Sequence, residues 1–346
     1  MDQPVSRIVD LIANDLSGAP PWEIKPDGED AAVQAIAQAI ETRVRAAATV
    51  APARRDAHPK AHGCVQAEFR VLDDLPPALR RGLFETPRAY PAWVRFSNGS
   101  ETPQKDAIGD GRGMAVKLMG VEASRSTTQD LVMINSPAFF VRNAVDYVAF
   151  QAATNPLRFF FPSWNPFGFR LHEFLAAEAI TSKRVSNPLN IQYWSVTPYL
   201  FGDAPCKFSA RPAGPPSPFE DRSAPNFLHD NLVQSLNAGD AAFDLCVQLR
   251  TRPEAMPIED PTIVWRETDS PFIPVARITI PQQSFDTPDR IAFGENLSFT
   301  PWHGLDAHRP LGGINRARRT VYETISRLRH ELNKAPRVEP TGFSSP

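Results

Sequence analysis

Proline does most to limit what this chain can fold into: 35 of its 346 residues are proline, about a tenth and roughly twice ordinary usage. A proline in a helix interior removes a hydrogen bond and clashes with the preceding turn, so helix cannot dominate where prolines crowd. They crowd in Pro198–Pro225 and Pro253–Pro281, among short runs rich in β-branched and aromatic residues, and are missing from Ala31–Ala48 and Arg316–Lys334. Helices are therefore expected at the two ends, with sheet and loop between them.

The pattern along the chain agrees. Residues 29–48 repeat Val33, Ile36, Ala37, Ile40 and Val44 at spacings of three and four beneath an acidic first turn, the mark of an amphipathic helix. Strand signals follow over residues 64–72, 92–99, 113–121 and 130–141. Helical stretches at 144–153 and 170–180 interrupt them, and strands resume at 191–201, 206–212, 243–251 and 274–281. Residues 281–313 read as irregular, with 291–305 wrapping around something, and Arg316–Leu332 reads as a closing helix. Two sets of strands without β-α alternation predict an α+β fold: an antiparallel β-barrel of about eight strands with helices packed outside. The expected organisation is one domain over 1–346, with 1–50 a helical arm and 335–346 a disordered tail.

Composition excludes several classes. Hydrophobic residues at 42% and charged residues at 22% are ordinary globular usage, and 37 Lys plus Arg against 39 Asp plus Glu leave no field to hold a nucleic acid. Apolar stretches such as Leu131–Val141 are too short and too polar-interrupted to cross a bilayer, and Met1–Asp15 lacks a basic-then-apolar leader pattern. Cys64, Cys206 and Cys246 are odd in number and widely spaced, which supports neither a disulfide framework nor a zinc site. A cytoplasmic protein is expected.

The closing helix carries the most chemistry. Arg318, Tyr322, Ile325 and Arg329 fall at i, i+4, i+7 and i+11 and share one stripe. One reading is a solvated basic face with an incidental tyrosine. The other starts from the preference of a phenol one turn after a guanidinium for its anion, a hard ligand for ferric iron. Seven residues of helix then place Arg329 roughly 10 Å away, near where a haem propionate would lie. Elsewhere, FSNGSE and GDGRG do not open a helix as a nucleotide loop must, and no Ser-His-Asp order or His-Glu-x-x-His supports a hydrolase or zinc enzyme.

Here the sequence resembles the haem catalase superfamily. RRTVY (Arg318–Tyr322) has the family's Arg-x-x-x-Tyr spacing, and RDAHPKAHG (Arg55–Gly63) resembles its distal segment. WVRFSNGSE (Trp93–Glu101), GDGRGMAVKL (Gly109–Leu118) and DLVMINSPAFFVRNA (Asp130–Ala144) resemble further blocks in the family's order, and the likeness covers roughly residues 50–330. The resemblance implies haem b as cofactor with Tyr322 as iron ligand and Arg318 beside it. It implies Arg55, Arg95 and Arg329 as propionate partners, His58 as distal base with Ser97 bonded to its ring, and Asp110 at an access channel. His62 lies in the same turn as His58 but off the family's His-x-Lys spacing. The family's distal asparagine has its counterpart at Ile134, one position early, leaving Asn135 as the candidate distal residue. The chain is most similar to minimal, catalase-related haem proteins, a group that includes allene oxide synthases. The implied activity is a peroxidase using organic hydroperoxides or hydrogen peroxide with a small organic reductant, with weak catalase turnover; the alternative is a haem carrier or sensor. A homodimer is left open.

Overall fold

In the computed structural model the chain is described over residues 22–343, apart from 124–125, 154 and 164–165. Helix α1 (Glu29–Ala47) is followed by β1 (Ala61–Val71), β2 (Ala89–Asn98), β3 (Arg112–Met119) and β4 (Thr128–Ile134). Next come α2 (Ala144–Ala152), α3 (Pro156–Phe160), α4 (Leu171–Thr181), β5 (Tyr193–Trp194), β6 (Tyr199–Phe201) and β7 (Ala204–Pro212). The chain closes with α5 (Phe227–Ala238), β8 (Ala241–Leu249), β9 (Ile273–Ile280), α6 (Pro288–Asn296) and α7 (Gly313–Leu332).

Every strand pairing is antiparallel, in the order β5-β4-β3-β2-β1-β9-β8-β7-β6, and an additional β5–β7 pairing closes the ring into an eight-strand barrel. β5 and β6 lie along the same edge of β7, Tyr193 opposite Ala210 and Tyr199 opposite Cys206. The single strand expected over 191–201 is thus broken by the turn at Ser195–Pro198, where Val196 takes φ 64. The interior is filled by Val65, Phe69, Val94, Phe96, Phe208 and Phe243. Because strand side chains alternate, Arg95 and Ser97 on β2 point to the opposite side from Val94 and Phe96, out of the barrel.

On that outer side α1, α2 and α7 pack together through Ile36, Ile40, Ala144, Ala317 and Ile325. Arg316 fixes α7 to α1, bonding Glu29 at 2.6 Å, Glu23 at 2.9 Å and Glu259 at 2.9 Å.

Several elements differ from the sequence reading. Residues 281–313 are not wholly irregular, since α6 forms there behind an N-cap in which Thr287 accepts from the Arg290 N–H. Helix α5 went unforeseen between its proline-rich flanks, although Leu228, Leu232 and Leu236 recur at helical spacing and are buried. Residues of the expected tail contact the barrel. Glu339 pairs with the buried Lys117 at 2.7 Å, and Phe343 packs edge-on against Trp93 with ring centres 5.7 Å apart. The last three residues of the expected tail and the first 21 of the expected arm lie outside the described residues. Among the described residues no helix is long and apolar enough to cross a membrane.

Candidate active site

A cavity of about 960 Å³ lies between the outer face of β2–β4 and helices α1, α2, α3, α4 and α7. That is at the upper end of the range for small-molecule sites. One wall carries His58, Ser97, Gly113 and Ile134; Tyr322, Arg318 and Arg329 come from α7; Phe139, Phe140, Phe150, Phe160 and Phe174 form an aromatic side. The phenyl rings brace each other, Phe139 against Phe140 at 4.7 Å and Phe140 against Phe150 at 4.9 Å.

His58 is held in an uncommon backbone state, φ 60, with its N–H on the Gly99 carbonyl at 3.2 Å. That left-handed turn presents the ring to the cavity, with Nδ1 3.0 Å from Ser97 Oγ. Opposite Ser97 in the β2–β3 register is Gly113. A Cβ there would lie 2.6 Å from the His58 ring and 2.9 Å from Ser97 Oγ, so only glycine leaves the pair in place. Burial, then the guanidiniums of Arg95, Arg318 and Arg55, push the His58 imidazole down to about 3.

Behind it, three guanidiniums converge. Arg55 donates to the carbonyls of Gly294, at 3.1 Å, and Leu297; Arg95 donates to the His58 carbonyl at 3.0 Å; Arg329 donates to the Glu295 carbonyl. The Glu295 carboxylate lies 3.4 Å from both Arg55 and Arg95, close enough for the arginines to hold its carboxyl below the usual range against the opposing effect of burial. Burial and mutual repulsion push Arg55 well below its ordinary value and Arg329 down to about 10. Three positive groups face one carboxylate, and the buried Arg95 Nε has no partner. The excess of two charges matches a ligand carrying two carboxylates.

Sequence expectations divide at this cavity. His58, Ser97, Arg55, Arg95, Arg318, Arg329, Tyr322 and Asp110 all line it. Asp110 accepts from the Ser100 N–H at 3.0 Å and from Gln104. Asn135 does not: the β4 alternation sends Val132 and Ile134 to the cavity, while Asn135 is buried off it and accepts from the Arg112 N–H at 2.8 Å. Asn135, the candidate distal residue, is not among the residues that line the cavity. His62 is also off the cavity, 2.7 Å from Asn98 Oδ1 in a buried network with Asp106 and Arg112. Arg318 donates to Thr197 and Asn315, both at 3.4 Å, and not to the Tyr322 hydroxyl. Sequence reasoning missed Glu295, whose only signal was its place at the end of a run read as irregular.

Comparison with known proteins bears on the fold that carries this cavity. The catalase family model matches residues 37–158, the segment that runs from α1 through β1–β4 to α3. Among solved structures, a fungal catalase is 18% identical with a TM-score of 0.64, covering 82% of this chain and 61% of its own. Catalase A from Saccharomyces cerevisiae gives 18% and 0.64, covering 82% and 63%; a bacterial catalase gives 16% and 0.61, covering 88% and 63%. The chain therefore spans about three fifths of the length of the catalases it matches. No curated protein matches it.

Proposed function

We propose that this chain, whose barrel is the catalase fold and whose residues 37–158 match the catalase family, is a haem-dependent peroxidase acting on organic hydroperoxides or hydrogen peroxide, with weak catalase turnover. One observation carries the reading: a histidine–serine pair, an arginine–tyrosine helix face and a three-arginine cluster with two unmatched charges all open on one cavity. Haem b fits that donor set. Tyr322 would ligate the iron, and Arg55, Arg95 and Arg329 would take the propionates. When bound, the haem iron supplies the redox chemistry that cleaves the O–O bond.

The chain's own residues do the rest. In the tautomer whose Nδ1–H donates to Ser97 Oγ, Nε2 of His58 keeps the free lone pair. Nε2 takes the proton from one peroxide oxygen and returns it to the other, which becomes the leaving water or alcohol. Burial and the neighbouring guanidiniums push His58 down to about 3, so its ring is neutral across the physiological range. The phenyl wall excludes water and favours an apolar substituent on the hydroperoxide, and a small organic molecule serves as reductant.

A haem carrier or sensor is the second reading, favoured by the absence of Asn135 from the cavity. A carrier has no use for a base kept neutral beside a serine, and that favours turnover. The test is Tyr322→Phe: the variant should lose most of its haem on purification. Retention of full haem with an unchanged Soret band would refute the ligand assignment.

A further inference from the structure

We infer that Thr197 and Asn315 are positioning residues for Arg318, holding its charge, undivided by any carboxylate, beside Tyr322. The inference rests on the haem reading above and goes beyond it by naming what sets the electronics of the proximal side.

Arg318 lies one helical turn before Tyr322, and both line the cavity. Its Nη1 donates at 3.4 Å to Thr197 Oγ1 and at 3.4 Å to Asn315 Oδ1. Neither acceptor can turn away. Asn315 is fully buried, and its Nδ2 donates both to the Pro198 carbonyl at 2.9 Å and to the Leu311 carbonyl at 3.0 Å. Its amide orientation is therefore fixed, and Oδ1 has only the direction of Arg318 and of Thr197 Oγ1, 3.0 Å away. The Trp302 indole pins the Asn315 carbonyl at 2.7 Å. Thr197 is buried in the break between β5 and β6, its N–H closing on the Ser195 carbonyl at 2.7 Å beside the strained Val196.

Both acceptors are neutral, and among the described residues no carboxylate pairs with Arg318. Arg316, two positions earlier on the same helix, shows the opposite arrangement, with three carboxylates around it. A guanidinium shared with a carboxylate has its field largely cancelled, whereas one held by amide and hydroxyl oxygens keeps its full charge. Beside a phenolate ligand, that charge draws electron density away from the iron and favours the ferrous over the ferric state.

The test is a redox titration of the haem-loaded full chain carrying Thr197→Asp or Thr197→Asn, which are similar in size and differ in charge. Relative to the Asn variant, the Asp variant should shift the ferric–ferrous equilibrium toward ferric by at least tenfold, which is about 59 mV for one electron. Equal potentials in two haem-loaded variants would overturn the inference. Should Thr197→Asp fail to fold, Thr197→Val and Thr197→Ser decide: Val should move the ferric spectrum and Ser restore it, and a Val spectrum identical to that of the wild type would overturn the inference. A wild-type chain that takes up no haem would overturn both this inference and the reading beneath it, whereas a loaded chain indifferent to these changes would overturn this one alone.

Discussion

At the scale of single residues, the site depends on which face of a strand or turn each side chain takes. His58 and His62 are four positions apart, one in the turn before β1 and the other within the strand, yet only His58 reaches the cavity, because its left-handed backbone turns the ring outward while His62 is tied to Asn98. His58→Ala should therefore keep near-normal haem content and lose about 10²–10⁴-fold in peroxide-dependent turnover, the usual worth of general acid–base help. His62→Ala should leave turnover close to wild type and lower stability instead. Equal losses of turnover at both positions, measured on haem-loaded protein, would remove the distal assignment. Gly113→Ala gives a separate check from the neighbouring strand: its Cβ would meet the His58 ring at 2.6 Å, so turnover should fall while haem stays bound. A wild-type rate there would mean that the His58–Ser97 pair is not held as described. The residues that were legible in the sequence are those fixed by spacing along one element, as Arg318, Tyr322 and Arg329 are on α7. Asn135 misled because a one-residue slip in a strand reverses the face, and a sequence does not mark whether a bulge will undo it.

At the scale of elements, proline content placed the helices at the ends and the sheet between them, and most strand signals lie within a few residues of the observed strands. What was not legible is physical in origin. Helix α5 sits between proline-rich segments whose composition masked its Leu228, Leu232 and Leu236 periodicity, and β5 and β6 form one interrupted stave because Val196 adopts a conformation that a branched residue normally avoids. The pairing of α1 with α7 was equally hidden, since it depends on an Arg316–Glu29 contact spanning most of the chain. That contact makes a prediction. Arg316→Met strands the buried Glu29 carboxylate without its cation, a loss that typically costs about 3–5 kcal/mol. Because α1 supplies Ile36 and Ile40 to the cavity, haem retention should fall together with the urea midpoint. A variant as stable as wild type would show that packing alone holds α1 in place.

At the scale of the whole molecule, the barrel keeps three histidines neutral. Burial, with nearby guanidiniums at His58 and despite the Asp106 carboxylate at His62, holds those two near 3, and burial holds His308 near 4, against an ordinary value near 6.5. His308 needs the neutral form for its bonds, with Nε2 accepting from the Leu83 N–H at 2.9 Å and Nδ1 donating to the Leu200 carbonyl at 3.3 Å. The sign of the pH dependence follows from proton counting. Between about pH 6.5 and 4 the unfolded chain binds these protons and the folded chain does not, so stability rises with pH there and falls as the solution is acidified. Near pH 8 all three are neutral in both states and contribute almost no slope. The carboxyl of Glu295, held low by its arginines, adds to the loss only at more acid pH, near the ordinary carboxylate range. Urea unfolding of the haem-free chain should therefore give a midpoint that is nearly flat near pH 8, begins to fall as the pH drops through 7 and declines steadily from 6.5 to 4.5, with a slope of about three protons or more, since burial also lowers His330. His308→Gln, which can keep one donor and one acceptor without titrating, should reduce that slope by about one proton. A midpoint that does not move between pH 6.5 and 4.5 would mean that these rings are hydrated and protonate freely, and the neutral base assigned to His58 would fall with it.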